Sequence, residues 1–340
     1  MNSTEIKELK SLLAQPKKIV IIPHKNPDGD AIGSTLGLYH YLKSQNHEAV
    51  VVTPNDYPDF LKWVPGEKEI VNFEQKNDQA KKFISEAELI FTLDFNHFSR
   101  TGQVEEILNN TNTTYVMIDH HQQPDDYAKF TYSDVSCSST CEMVYHFLGM
   151  LEATAQITPE IASCLYLGIM TDTGSFRFPS TTSTTHRVIA DLIDKGAKNS
   201  EIHQQTFDTN SYNRMQLLGV ALNNMKILPH YHTAYITLSQ KELDDHNFKK
   251  GDTEGFVNYS LGIKGIIFAA IFIENEAEKI IKISLRSKGD FNVNEFARKH
   301  FEGGGHINAA GGRSLMSLEE TQQHFEELLS NYEKELNYED

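Results

Sequence analysis

The sequence predicts an α/β protein in two domains: a parallel sheet with flanking helices, then a smaller α/β domain, with a cleft between them. Three observations predict it. The chain has 340 residues, more than the roughly 250 to 300 at which single cores stop growing. Its first half alternates short apolar, β-branched runs with stretches of helical period, the pattern of parallel strands joined by covering helices. After about residue 228 the composition resets to several neighbouring strand-like runs.

Taken in order, MNSTEIKELKSLLAQPKK has acids and an amphipathic helical period but not the apolar centre of a signal peptide. KIVII (18–22) reads as a buried strand, followed by the turn PHKNPDGD and the amphipathic AIGSTLGLYHYLKSQ. HEAVVVTP (47–54), ELIFTLDF (88–95) and TYVMIDHH (114–121) are further strand-like runs. SSTCEMVYHFLGML and TPEIASCLYLGIMT read as helices, the second opened by a Thr158 cap with Pro159 in the first turn. TTSTTHRVIADLIDKGA adds one more, ended by Gly196. The polar stretch 200–228 reads as a connecting helix and hinge between a first domain over 1–199 and a second over 229–335. In the second, HTAYITLS (232–239), GIIFAAIFIENE (265–276) and EKIIKISLRSKG (278–289) read as strands, and SLEETQQHFEELLSNYEKEL as an acidic closing helix.

Composition narrows the function. With 39% hydrophobic and 23% charged residues the chain has an ordinary globular balance, but its formal net charge is -16. No general basic surface is available for long duplex nucleic acid. A short polyanion remains possible where metal ions and a few local cations make one cleft positive. Cys137, Cys141 and Cys164 are an odd number, which argues against a disulfide framework and for a reducing compartment. The first two do not read as a zinc pair, because no second Cys/His pair stands at matching spacing. The longest apolar run, GIIFAAIFI, is far short of the ~20 residues that span a bilayer. The expected setting is cytoplasmic, without membrane contact.

The chemistry concentrates at the strand ends. His24 follows the first strand, Asp94 ends FTLDF, and Asp119, His120 and His121 end the run VMIDHH. Ligand crevices of open parallel sheets lie beyond those carboxyl ends. Asp28 and Asp30 share the turn with His24, and Asp172 in GIMTDTGSF enters a Thr/Gly turn. A single strand-end aspartate is more often a helix cap, and Asp30 ahead of AIGSTLG is a fair candidate for that role. Adjacent histidines after VMID have no packing logic. Four ionised carboxylates in one crevice would repel, whereas two divalent ions about 3.5 to 4 Å apart compensate them. Mixed nitrogen and oxygen donors favour Mn²⁺ or another transition metal over Mg²⁺.

HKNPDGDAIGS, LDF with Asp94, DHH at 119–121 and MTDTG with Asp172 resemble, in order, the motifs of the DHH phosphoesterases, and GGGHINAAGG (303–312) resembles the signature of the associated DHHA1 domain. The two-domain length is most similar to the oligoribonuclease and 3′-phosphoadenosine 5′-phosphate phosphatase subgroup. The resemblance implies that His24, Asp28 and Asp94 hold one metal while Asp30, Asp94, His120 and Asp172 hold the other. It implies that Asp119 orients a neighbouring histidine and that His121 faces the scissile phosphate. Implied substrates are short oligoribonucleotides and 3′-phosphorylated nucleotides, with the oligomeric state open between monomer and homodimer. Rivals are a cyclic-dinucleotide phosphodiesterase, an inorganic pyrophosphatase and a metal-free nucleotide sensor.

Among candidate phosphate contacts, Gly303, Gly304 and Gly305 can let backbone N–H groups approach an anion, and His306 adds a side-chain donor. Arg286 at the end of the strand IKISLR suits a bidentate phosphate. Arg100 is a further candidate, with a surface ion pair as its alternative fate. No G-x-x-x-x-G-K-[ST] stretch supports an NTPase loop.

Overall fold

The apolar runs of the first half become parallel strands because each must bury both of its faces. A computed structural model describes residues 1–336, and the chain divides into two compact units, Met1–Thr209 and Asn210 onward. In the first, β1 (Lys18–Ile22), β2 (Glu48–Thr53), β3 (Val71–Asn72), β4 (Leu89–Leu93), β5 (Thr114–Asp119) and β6 (Phe130–Ser133) form one sheet in the order β3-β2-β1-β4-β5-β6. Every pairing is parallel. Alternation along β1 sends Ile19 and Ile21 into one core with Leu36, Phe91 and Leu165. It sends Val20 and Ile22 into the opposite core with Ala80, Ile90 and Leu108.

The helices of this unit are α1 (Ser3–Leu12), α2 (Gly29–Ser44), α3 (Asn77–Glu86), α4 (Glu105–Asn110), α5 (Thr140–Met150), α6 (Pro159–Asp172), α7 (Ser183–Asp194) and α8 (Asn199–Phe207). Thr158 caps α6 by accepting from the Ile161 amide, with Pro159 in the first turn. Helix α2 is buried almost all round over its first ten residues, and it meets α6 without room for side chains. A Cβ on Gly33 would lie 2.4 Å from the Cys164 carbonyl oxygen, and one on Gly168 would lie 2.7 Å from Asp30 Oδ1. This contact places the start of α2, with Asp30, against the C-terminal half of α6, which ends at Asp172.

In the second unit, β7 (Lys226–Leu228), β8 (Thr233–Leu238), β9 (Phe268–Asn275), β10 (Ile280–Ser287), β11 (Gly304–Gly305) and β12 (Ala309–Ser314) form a sheet in the order β11-β12-β10-β9-β8-β7. Only β8 and β9 are parallel. Its covering helices are α9 (Tyr212–Asn223), α10 (Gln240–Asp245), α11 (Phe256–Leu261), α12 (Val293–His300) and α13 (Leu318–Leu329). Phe268, Phe272, Phe296 and Phe325 fill one face, and Leu217, Ile236 and Ile271 the other. Among the described residues no helix is long and apolar enough to cross a membrane.

One local expectation is corrected. The stretch 200–228 is not one connecting helix: α8 ends at Phe207, α9 restarts at Tyr212, and Lys226–Leu228 is strand β7. Asp208, Thr209, Asn210 and Ser211 favour caps over helix interiors, and the Ser211 side chain accepts from the Arg214 amide to begin α9. Within the glycine-rich segment, Gly304–Gly305 is β11 and Ala309–Gly312 lies in its partner β12. A Cβ on Gly303 would fall 2.0 Å from the Gly311 carbonyl oxygen, and Gly305 has φ +152°, so close backbone approach by itself requires glycine there.

Because the α2–α6 contact has no slack, Gly33→Ala is expected to destabilise the first unit by about 1–3 kcal/mol, the usual range for overpacking. Urea unfolding followed by circular dichroism checks this; an unchanged midpoint would contradict the close packing.

Candidate active site

Strands β1, β4 and β5 are neighbours, and the strand order reverses between β1 and β4. The crevice beyond their carboxyl ends is where open α/β sheets place ligands. His24 lies just past β1, Asp94 just past β4, Asp119 at the end of β5 with His120 and His121 after it, and Asp172 closes α6. Asp94 adopts φ 65°, a left-handed conformation that aspartate tolerates better than most residues.

The turn after β1 is organised from both ends. Asp28, not Asp30, caps α2: its Oδ1 accepts from the Asp30 and Ala31 amides, each at 3.0 Å. That corrects the capping role considered for Asp30, whose side chain faces the start of α5 instead. There Asp30 Oδ2 accepts from the Thr140 amide at 2.6 Å and Oδ1 from the Cys141 amide at 2.8 Å. At the other end Asn26, with φ 57°, pairs reciprocally with Asn55: the Asn26 amide donates to Asn55 Oδ1 at 2.7 Å, and Asn55 Nδ2 donates to Asn26 Oδ1 at 2.8 Å. Asn55 was missed in the sequence because nothing near it in the chain marks it as a partner of the turn.

The donors converge in two sets. Ligating atoms of His24, Asp28 and Asp94 lie within 4.8 Å of one another, as do those of Asp30, His120 and Asp172. Asp94 stands between them: Oδ2 is 3.3 Å from His24 Nε2, and Oδ1 is 3.5 Å from His120 Nε2. His120 Nε2 is also 3.5 Å from Asp172 Oδ2 and 3.8 Å from Asp30 Oδ2. His24, Asp30, Asp94 and His120 are buried, whereas the Asp28 side chain is about half exposed and opens the cluster to solvent.

The imidazole tautomers test whether cations fit. His24 Nδ1 is 2.8 Å from the Lys25 carbonyl and His120 Nδ1 is 3.3 Å from the Cys137 carbonyl. A carbonyl only accepts, so each Nδ1 carries a proton. When such a ring is neutral, its Nε2 lone pair points toward carboxylate oxygens, and two acceptors face each other unless a positive species lies between them. The donor set therefore fits metal ions.

Titration behaviour without metal tells the same story. Burial works against charge on His24, but Asp94 and Asp28 raise its pKa above the ordinary value. Burial likewise opposes charge on His120, and Asp94 and Asp172 raise it well above. Burial, then Asp94 and Asp172, push Asp30 well up, and burial first pushes Asp172 to about 6. Asp94 resists burial because hydrogen bonds from His120 and His24 hold it well below the usual carboxylate range. Protons occupy positions that cations could take.

Asp119 is fully buried and grips His121 twice: Nδ1 lies 2.6 Å from Oδ1, and the His121 amide donates to Oδ2 at 2.9 Å. Arg100 is exposed on the turn after β4; its carbonyl accepts from the Lys25 amide at 2.7 Å, and its charge reaches His24. Arg286, Gly304, Gly305 and His306 belong to the second unit. Arg286 pairs with Ala309 across β10 and β12, and its Nη1 donates to the Leu285 carbonyl at 2.9 Å. The Gly305 amide donates to Asn294 Oδ1 at 2.9 Å, which also accepts from Arg298 Nε at 3.1 Å.

A model of the DHH family N-terminal domain matches residues 18–169, and one of the DHHA1 domain matches 229–337. A Thermus thermophilus protein named bifunctional oligoribonuclease and PAP phosphatase NrnA is 33% identical over 319 residues, 94% of this chain and 90% of that protein. The chain belongs to the DHH family. A second DHH relative, the probable bifunctional oligoribonuclease and PAP phosphatase NrnA of Streptococcus mutans, is 31% identical over 94% of this chain and 97% of its own length. Among solved DHH folds, the crystal structure of an exopolyphosphatase-related protein from Bacteroides fragilis superposes with a TM-score of 0.94 at 40% identity, covering 98% of both chains.

Since His24 and His120 sit above their ordinary values without metal, each must lose a proton before its Nε2 can bind a cation. Mn²⁺ affinity is therefore expected to weaken as pH falls toward and below the raised values of the two histidines, with proton release on binding. Calorimetry in buffers of differing ionisation enthalpy checks this; an affinity independent of pH would contradict the ligand assignment.

Proposed function

We propose that this chain is a metal-dependent phosphoesterase that hydrolyses short oligoribonucleotides to mononucleotides and 3′-phosphoadenosine 5′-phosphate to AMP. The observation that carries the reading is the pair of facing donor sets with Asp94 between them. The names of relatives sharing about a third of its residues support the substrate class.

In this reading His24, Asp28 and Asp94 hold one divalent ion, and Asp30, Asp94, His120 and Asp172 hold the other, with Mn²⁺ favoured by the mixed donors. When bound, such a pair supplies Lewis acidity that activates water and offsets phosphoryl charge. The protein's own part is orientation. Donation from His121 Nδ1 to buried Asp119 fixes the ring and leaves Nε2 as the atom that meets an oxygen of the scissile phosphate. Arg286 and His306 take the remaining phosphate and sugar groups, with Arg100 as a further cation, while the Gly305 amide stays with Asn294. A net charge of -16 suits this division, since positive potential is needed only where one short substrate is held.

Asp94→Asn is expected to lower kcat/KM by more than about 10²-fold, beyond the roughly 10- to 100-fold usual for a residue that only positions a metal ligand, because it removes the ligand shared by both ions. Rates of the Mn²⁺-loaded wild type on a diribonucleotide, 3′-phosphoadenosine 5′-phosphate, cyclic di-AMP and pyrophosphate test the substrate assignment. Dominance of either of the last two would overturn it.

A further inference from the structure

The start of α5 performs a task that the metal ligands alone do not explain. The first two amides of a helix have no partner within it, and those of Thr140 and Cys141 both go to Asp30, more than a hundred residues earlier in the chain. Thr140 adds a third bond: its hydroxyl donates to Asp94 Oδ1 at 3.0 Å. Thr140, Asp30 and Asp94 are all buried, so water does not substitute for these bonds.

Threonine hydroxyls past the first turn of a helix return to their own backbone, as Thr35 does to the Ala31 carbonyl, Thr171 to Leu167 and Thr206 to Ile202, whereas first-turn Thr185 and Thr321 reach other side chains. At the first position of α5 no helical carbonyl lies four residues back, which frees the Thr140 proton for Asp94. The helix start is itself pinned. Ser139 accepts from the Glu142 amide, and buried Glu142 accepts from Thr185 Oγ1 of α7 at 3.0 Å and from the Ser138 hydroxyl.

We propose that Thr140 is a positioning residue that sets the rotation of the Asp94 carboxylate, so that one oxygen serves each donor set, while its amide fixes Asp30 in the second set. This rests on the two-metal reading above. Asp94 can serve both sets only with Oδ2 toward His24 and Oδ1 toward His120. Without the Thr140 hydroxyl, Oδ1 keeps its contact with His120 on that side but is freer to swing away from the second set. The second set then loses a donor, and the first does not.

The test compares Thr140→Val, which keeps the branched shape and removes the hydroxyl, with Thr140→Ser, which keeps the hydroxyl; Thr140→Ala serves in place of Val if that variant does not fold. Calorimetric titration of metal-free protein with Mn²⁺ counts ions and resolves their affinities, and electron paramagnetic resonance detects spin coupling between paired ions. Expected for Thr140→Val is a second ion bound about 10- to 100-fold more weakly with the first unchanged, the usual cost of losing a bond to a metal ligand. Its spin-coupled signal should fall at limiting metal, and Thr140→Ser should restore both. Wild-type affinities in Thr140→Val, or equal damage in Thr140→Ser, would overturn the role of the hydroxyl. A wild type that binds fewer than two ions would overturn the two-metal reading itself, and the proposal with it.

Discussion

Repulsion among Asp28, Asp30, Asp94 and Asp172 is the constraint on which the first unit depends. Four carboxylates around two imidazoles are unfavourable in a buried crevice unless positive charge joins them. Without metal the cluster holds protons, seen in the raised values of His24, His120, Asp30 and Asp172. The surrounding backbone bears the rest of the load. Helix amides of α5 hold both oxygens of Asp30, the first turn of α2 holds Asp28, and a left-handed residue aims Asp94. Each arrangement binds a carboxylate through N–H groups or local geometry, without a buried lysine or arginine that would compete with a metal ion.

That arrangement is available because the strand order reverses between β1 and β4. The helices that follow these strands diverge, so the segments after β1 and β4 reach one crevice with no helix across it. Helix α6 closes another side. Its approach to α2 through Gly33 and Gly168 leaves no space for a side chain, which brings Asp172 to a cluster otherwise built from strand ends. The glycine spacing of α2 is thus as much a part of the site as the acids are.

Much of this was legible in the chain. The strand KIVII, the Thr158 and Pro159 helix start, and the crowding of His24, Asp94 and His120 at strand ends follow from periodicity and capping, which act over a few residues. Other features were not legible, because their partners are remote in sequence. Asp30 looked like a cap, and only the arrival of α5 shows which groups its carboxylate meets. Asn55 is an ordinary turn residue until it meets Asn26. The glycines of 303–305 suggested anion contacts, whereas they already have a reason in the tight pairing of β11 with β12.

By itself, then, the sequence determined the fold class, and its motifs the family, and it offered candidate residues for the chemistry, because apolar period, turn residues and short motifs are local properties. Only the tertiary structure decided which groups each of them meets. Which aspartate caps a helix, which oxygen of Asp94 faces which histidine, and why Thr140 sends its hydroxyl away from its own backbone depend on distances between segments far apart in the chain. Those distances are set by close packing of helices on the sheet, which no local pattern encodes.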